Sequence, residues 1–194
     1  MTRPIAVAIT GGIGAGKSEA LAAFARRGAA TVSSDAIVHE LLRREEVRGA
    51  VVERFGNGVV GPDGELDRGA VATVVFNDEG SLAWLETLLH PLVSAEYLVW
   101  REQLAALPEP PRVCVTEVPL LYEAGSQPYF DKVVVVTAPE ELRRSRSDAA
   151  VEERERRLLP DEEKVGRADY AYTNTGSLAE LELFVASVLA DLTP

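Results

Sequence analysis

Apolar and polar positions alternate along this chain in blocks that read as strands and helices taken in turn. Ile5-Ala-Val-Ala-Ile-Thr10 reads as a buried strand, and Glu19 to Arg27 as a helix closed by Gly28. Ala29-Ala-Thr-Val-Ser33 follows as a short second strand. Ala36 to Phe55 has helical period, with Ile37, Leu41, Leu42, Val47 and Val51 facing inward and Gly49 weakening its middle. Gly56-Asn-Gly58 and Gly61-Pro-Asp-Gly64 mark turns, a small hairpin or irregular loop. Residues 68 to 107 are helical in pattern, and Pro91 is expected to break or kink them or to open a new helix. Pro108-Glu-Pro-Pro111 is a stiff connector. Arg112 to Val118 reads as a third strand, Lys132 to Thr137 as a fourth with the strongest signal, and Tyr170 to Thr173 as a weak fifth. Glu140 to Arg157 is expected to be helical in part. Ser177 caps the last helix, with Glu180 at the capping-box offset and Leu181, Phe184, Val185 and Val188 as its stripe.

Alternating strands and helices predict an α/β fold, a five-stranded, mostly parallel sheet flanked by helices. Sites in such sheets lie beyond the carboxyl ends of the strands. The glycine-rich segment after the first strand, Asp35 and Pro119 all follow strands directly, so they should meet at that edge. The gap of about 75 residues between strands two and three exceeds one crossover unit of roughly 30. It reads as a helical substrate-binding lobe, about residues 36–110, within a single domain whose core is 1–35 and 112–194.

Composition narrows the function. At 194 residues with 46% apolar content the chain supports one domain with a real core. A net charge of −11 argues against a nucleic-acid backbone as main partner. Cys114, the single cysteine, sits in an apolar run and reads as a buried thiol; no zinc spacing is possible. The first strand leaves no room for a signal peptide, and the apolar runs are too short to span a bilayer, so a soluble cytoplasmic protein is expected.

The chemistry centres on Gly11-Gly-Ile-Gly-Ala-Gly-Lys-Ser18, a complete G-x-x-x-x-G-K-[ST] octet between a strand and a helix. Glycines let the backbone N–H groups curl around an anion, and the helix starts with its positive dipole end aimed at the same place. Lys17 can reach the outer phosphates of a nucleotide, and the Ser18 hydroxyl can ligate magnesium. The bland alternative is a glycine-rich turn with no ligand. Phosphoryl transfer also needs a group that orients the acceptor hydroxyl and takes its proton. Asp35, at the end of the second strand, is the candidate; the competing reading is a helix N-cap. Arg143, Arg144, Arg146, Arg154, Arg156 and Arg157 crowd one segment, about 140–165, that reads as a lid. Interleaved acids allow most of them to be i,i+4 surface pairs, whereas Arg144 or Arg146 is the choice for the transferring phosphate. Glu117 is either a carboxylate touching magnesium through water or a solvated turn residue. His90-Pro91 could belong to an acceptor pocket, although a lone histidine is more often structural.

With these residues in view the chain resembles the dephospho-coenzyme A kinase family almost end to end. The resemblance is carried by Thr10 to Ser18, Asp35-Ala-Ile-Val-His-Glu-Leu41, Leu66-Asp-Arg68, Val75-Phe76, Leu89-His-Pro-Leu92, Pro119-Leu-Leu-Tyr-Glu123, Glu163-Lys164, Ala168-Asp169 and Asn174-Thr-Gly-Ser177. It implies a P-loop NTPase fold with a helical lobe for the coenzyme and a lid. It implies transfer of the ATP γ-phosphoryl group, with Mg²⁺, to the ribose 3′-hydroxyl of dephospho-CoA, and no nucleic-acid or membrane partner. By resemblance Gly12, Gly14, Ala15, Gly16, Lys17, Ser18 and Glu19 hold the ATP phosphates. Asn174 faces the adenine end, and His90, Pro91, Leu120 and Glu123 lie with Asp35 around the acceptor. Arg144 or Arg146 is then the lid arginine. The chain departs from the family pattern at Glu19, where Thr is usual, and at Leu158, where Gln is usual. It departs also at Thr173, where Asp is usual, and in the compressed Arg144-Ser-Arg146 pair. Three other readings compete: a kinase for another small alcohol or nucleotide, a GTPase switch, and an ATP-binding regulatory module without turnover. The second requires an N-K-x-D motif, which the sequence lacks.

Overall fold

A computed structural model describes residues 3–145 and 158–193, apart from the side chain of Arg144. Five strands, β1 (Ile5–Thr10), β2 (Ala30–Ser33), β3 (Val113–Glu117), β4 (Lys132–Thr137) and β5 (Tyr170–Thr173), form one sheet in the order β2-β3-β1-β4-β5. Every neighbouring pair is parallel, which sharpens the expected mostly parallel sheet. The described helices are α1 (Lys17–Arg26), α2 (Ser34–Arg43), α3 (Glu45–Phe55), α4 (Arg68–Asn77), α5 (Glu79–Ala105), α6 (Glu140–Arg144), α7 (Asp161–Gly166) and α8 (Leu178–Leu192).

The chain divides into two compact units, Met1–Ser34 with Tyr97–Pro194, and Asp35–Glu96. The first contains the whole sheet. Its core joins Val7 and Ile9 of β1, Val113 and Val115 of β3, and Val134 and Val136 of β4 to Ala20, Ala23 and Phe24 of α1 and Leu181, Val185 and Val188 of α8. β1, β3 and β4 are buried along nearly their whole length because helices cover the sheet, which is why they read as unbroken apolar runs. Cys114, between Val113 and Val115 on β3, is buried as well, and burial pushes its thiol up to about 11, so the sulfur is an inert apolar group. The Ser177 hydroxyl accepts the Glu180 N–H and caps α8, but the Glu180 carboxylate accepts from Thr175 Oγ1 at 2.7 Å, so only half of a capping box forms.

The second unit corrects two expected helices. Residues 36–55 are α2 and α3, separated at Arg44, which is extended (φ −68°, ψ 134°) with its guanidinium on Glu96 at 2.7 Å. All five inward positions named from the pattern are nevertheless buried. Residues 68–107 break at Asp78, not at Pro91. Asp78 is extended, and its carboxylate accepts the Ser81 N–H at 2.7 Å, satisfying the first turn of α5. That bond and the Ser81 hydroxyl hold the Asp78 carboxyl below the usual range. α5 runs through Pro91 with one main-chain donor fewer. Between α3 and α4 a 3₁₀ turn at Asn57–Val59 and an antiparallel bridge from Val60 to Leu66 form the expected small hairpin-like loop. The Asp67 side chain caps α4 through the N–H groups of Gly69 and Ala70.

Candidate active site

β1 is the central strand, and the chain leaves it directly into Gly11–Gly16. Gly11 has φ +140°, and a Cβ there would lie 1.9 Å from the Val136 carbonyl oxygen of β4, so a side chain cannot be accommodated. Gly16, left-handed at φ +98°, turns the loop into α1. α1 therefore begins at Lys17, two residues before the sequence pattern placed it, and its first-turn N–H groups face the loop's end. The Lys17 side chain is buried, its Nζ donating to the carbonyls of Gly11 at 3.2 Å and Gly12 at 2.9 Å. Glu19 is exposed and paired with Arg26 at 2.8 Å, which offsets its charge near the loop.

Glu117 ends β3, in register between Ile9 of β1 and Ser33 of β2. It is buried, and the Ser18 hydroxyl donates to its Oε1 at 3.3 Å. That position removes the solvated-turn reading. A hydroxyl and a carboxylate side by side suit a magnesium ion, which takes one or two protein oxygens and completes its shell with phosphate and water. Among the described residues no cluster of three or more His, Cys, Asp or Glu could hold a metal without such added ligands.

The end of β2 is pinned to β3. Ser34 Oγ donates to the Glu117 carbonyl at 2.7 Å and lies 2.8 Å from the Tyr97 hydroxyl. Asp35 is the next residue, exposed in the first turn of α2. It stands inside the helix instead of preceding it, so N-capping does not account for it. His90 is half-buried and Pro91 exposed, both on α5 in the second unit.

Two groups that pattern reading did not favour stand out, and the first of them lies against the loop. Arg143, on α6, lies so near Gly12 that a Cβ there would meet its guanidinium at 2.9 Å; the Asp161 carboxylate would be met at 3.3 Å. Arg143 and Asp161 themselves approach to 3.9 Å. The side chain of Arg144 and all of Arg146 lie outside the described residues. A helical face of five residues carries too little periodicity to single out Arg143 among adjacent arginines. The second group is Lys164, fully buried and 3.0 Å from Glu123, whose Oε1 also accepts the Leu159 N–H at 2.9 Å. Glu123 thus ties the start of α7 to the segment after β3, and Leu120, three residues earlier, is half-buried. Replacing Lys164 by Met is expected to destabilise the protein by about 3–5 kcal/mol, because it strands the Glu123 carboxylate. Urea unfolding measures this, and an unchanged midpoint would refute it. Asn174 is buried and bonded to the loop itself, Nδ2 to the Ala15 carbonyl at 2.9 Å.

A parallel five-stranded sheet, a glycine loop from its central strand to a helix, and a lysine, serine and carboxylate at that junction define a P-loop kinase fold. Shikimate kinase from Acinetobacter baumannii shares this fold at a TM-score of 0.52 and 17% identity, over 98% of this chain and 95% of its own. The match narrows with the dephospho-CoA kinase family model, which covers residues 5–180; the chain belongs to that family. It is 41% identical to the dephospho-CoA kinase of Symbiobacterium thermophilum, over 89% of this chain and 74% of that protein. With the dephospho-CoA kinase of Aquifex aeolicus it shares 34% identity, over 96% and 97%. The crystal structure of TT1252 from Thermus thermophilus superposes at a TM-score of 0.81, with 36% identity over the full length of both chains.

Proposed function

We propose that the protein is a dephospho-CoA kinase, transferring the γ-phosphoryl group of ATP to the ribose 3′-hydroxyl of dephospho-CoA to give CoA and ADP. The observation that carries this reading is the preset phosphate loop within a chain that matches the family over residues 5–180. The loop from Gly12 through Gly16, with Lys17, Ser18 and the first turn at Glu19, would hold the donor's phosphates through backbone N–H groups and the Lys17 ammonium. Ser18 and Glu117 would hold Mg²⁺, which when bound neutralises charge on the phosphates. Asp35 would orient the acceptor hydroxyl and take its proton. His90, Pro91, Leu120 and Glu123 are assigned to the acceptor side, with Glu123 acting through its bonds to Lys164 and Leu159. Arg144 and Arg146 are assigned to the transferring phosphate by family resemblance, and Arg143 joins them on the strength of its place against Gly12.

A helical substrate lobe at residues 36–110 and a lid at 140–165 complete the proposed division of labour. No helix among the described residues is long and apolar enough to cross a membrane, and we place the activity in the cytoplasm. ADP release with ATP, Mg²⁺ and dephospho-CoA, beside a control without acceptor, tests the reading. Turnover is expected to depend on dephospho-CoA and to exceed that with shikimate, nucleosides or nucleotides. Faster phosphorylation of any of those acceptors would overturn the assignment, and ATP binding without turnover on any acceptor would support a regulatory module instead.

A further inference from the structure

Asn174 follows β5 directly, and its main-chain N–H extends the β4–β5 ladder by bonding to the Thr137 carbonyl at 2.7 Å. Its side chain is buried and engaged at both ends. Nδ2 donates to the Ala15 carbonyl at 2.9 Å, and Oδ1 accepts the Gly176 N–H at 2.8 Å. Ala15 is wholly buried, one residue before the end of the Gly11–Gly16 loop. All its peptides are trans among the described residues. A trans peptide carries its C=O and N–H on opposite sides of one rigid plane. Holding the Ala15 oxygen toward Asn174 therefore turns the Gly16 N–H the other way. The far end of the loop is fixed from the same strand, since Gly11 packs against the Val136 carbonyl. Two consecutive residues of β4, Val136 and Thr137, thus set both ends of the loop, the second of them through Asn174.

We propose that Asn174 is a positioning residue for the donor phosphates: it fixes the Ala15–Gly16 peptide so that the Gly16 N–H is preset for an anion, and it does not read the adenine base. This deepens the kinase reading and takes from it only that the ligand is a nucleoside triphosphate. A base-reading role and a loop-setting role differ on a ligand that has phosphates and no base. Asn174→Ala removes the donor without adding charge. Binding of ATP and of inorganic tripolyphosphate, each with Mg²⁺, is measured by displacement of a fluorescent ATP analogue. Thermal unfolding of the ligand-free variant verifies its fold, and Asn174→Ser is read in the same way should the alanine variant not fold.

Both ligands are expected to weaken by the same factor, roughly tenfold, because the freed peptide no longer presents its donor. A loss confined to ATP would return Asn174 to the base and overturn the proposal. So would unchanged binding of both ligands, or failure of the wild-type loop to bind bare tripolyphosphate. No acceptor enters this experiment, so a failed dephospho-CoA assay would sink the acceptor assignment and leave this result standing.

Discussion

Asp35→Asn is expected to lower kcat by roughly 10²–10⁴-fold while leaving ATP affinity unchanged, the size of effect that follows loss of a positioned general base. The substitution keeps the shape of the side chain and removes its ability to take a proton. Its backbone setting is secure: Ser34, one residue earlier, is bonded through its hydroxyl to the Glu117 carbonyl, and Ser34 opens α2. A folding defect is therefore not expected from a change on an exposed side chain. Pre-steady-state measurement of ADP formation separates chemistry from product release. If single-turnover rates with dephospho-CoA matched the wild type, Asp35 would be no more than a favourable charge in the first turn of α2.

The phosphate loop and the strands around it were legible because the physics there is local. β1 and β4 begin and end where their apolar runs do, and a loop of glycines before Lys-Ser has few other conformations to adopt. The breaks in the second unit show where locality fails. Asp78 was in principle readable, since an Asp three residues before Ser81 is an N-cap pattern and its bond is short-range. Arg44 was not, because the group that holds its side chain, Glu96, is 52 residues away. Pro91 left the outcome open: its own propensity allowed a break, a kink or a new helix start, and a helix of 27 residues runs through it without a break.

The candidate site divides along the same line. Lys17, Ser18 and Glu117 could be named from motif and strand position, and the structure brings Ser18 and Glu117 together. Arg143 and Lys164 owe their places to tertiary packing. Arg143 matters because β4 and α6 deliver it to Gly12, and Lys164 because burial leaves Glu123 as its ion-pair partner. Neither relation has a period or a spacing in the sequence. Asn174 is intermediate. Its family resemblance drew attention to the residue, but only its bond to Ala15 shows that the carboxamide is engaged with the loop.

Lys17→Ala is expected to reduce kcat/KM for ATP by roughly 10²–10³-fold, comparable to removing one preset donor aimed at developing charge. Two terms contribute. The ammonium proposed to face the outer phosphates is lost, and the carbonyls of Gly11 and Gly12 lose their shared donor. Lys17→Arg separates the terms. It restores the charge, but a planar fork cannot replace a compact ammonium donating to two adjacent carbonyls in a buried position. Arginine should therefore recover little of the activity. Unlike Asp35→Asn, both Lys17 variants should also weaken ATP itself, measurable by calorimetry without acceptor, while dephospho-CoA binding stays at its wild-type value. Full activity of Lys17→Ala would mean that the loop is not where the donor binds, and full recovery with arginine would mean that charge alone, not the two-carbonyl anchorage, is what the position supplies.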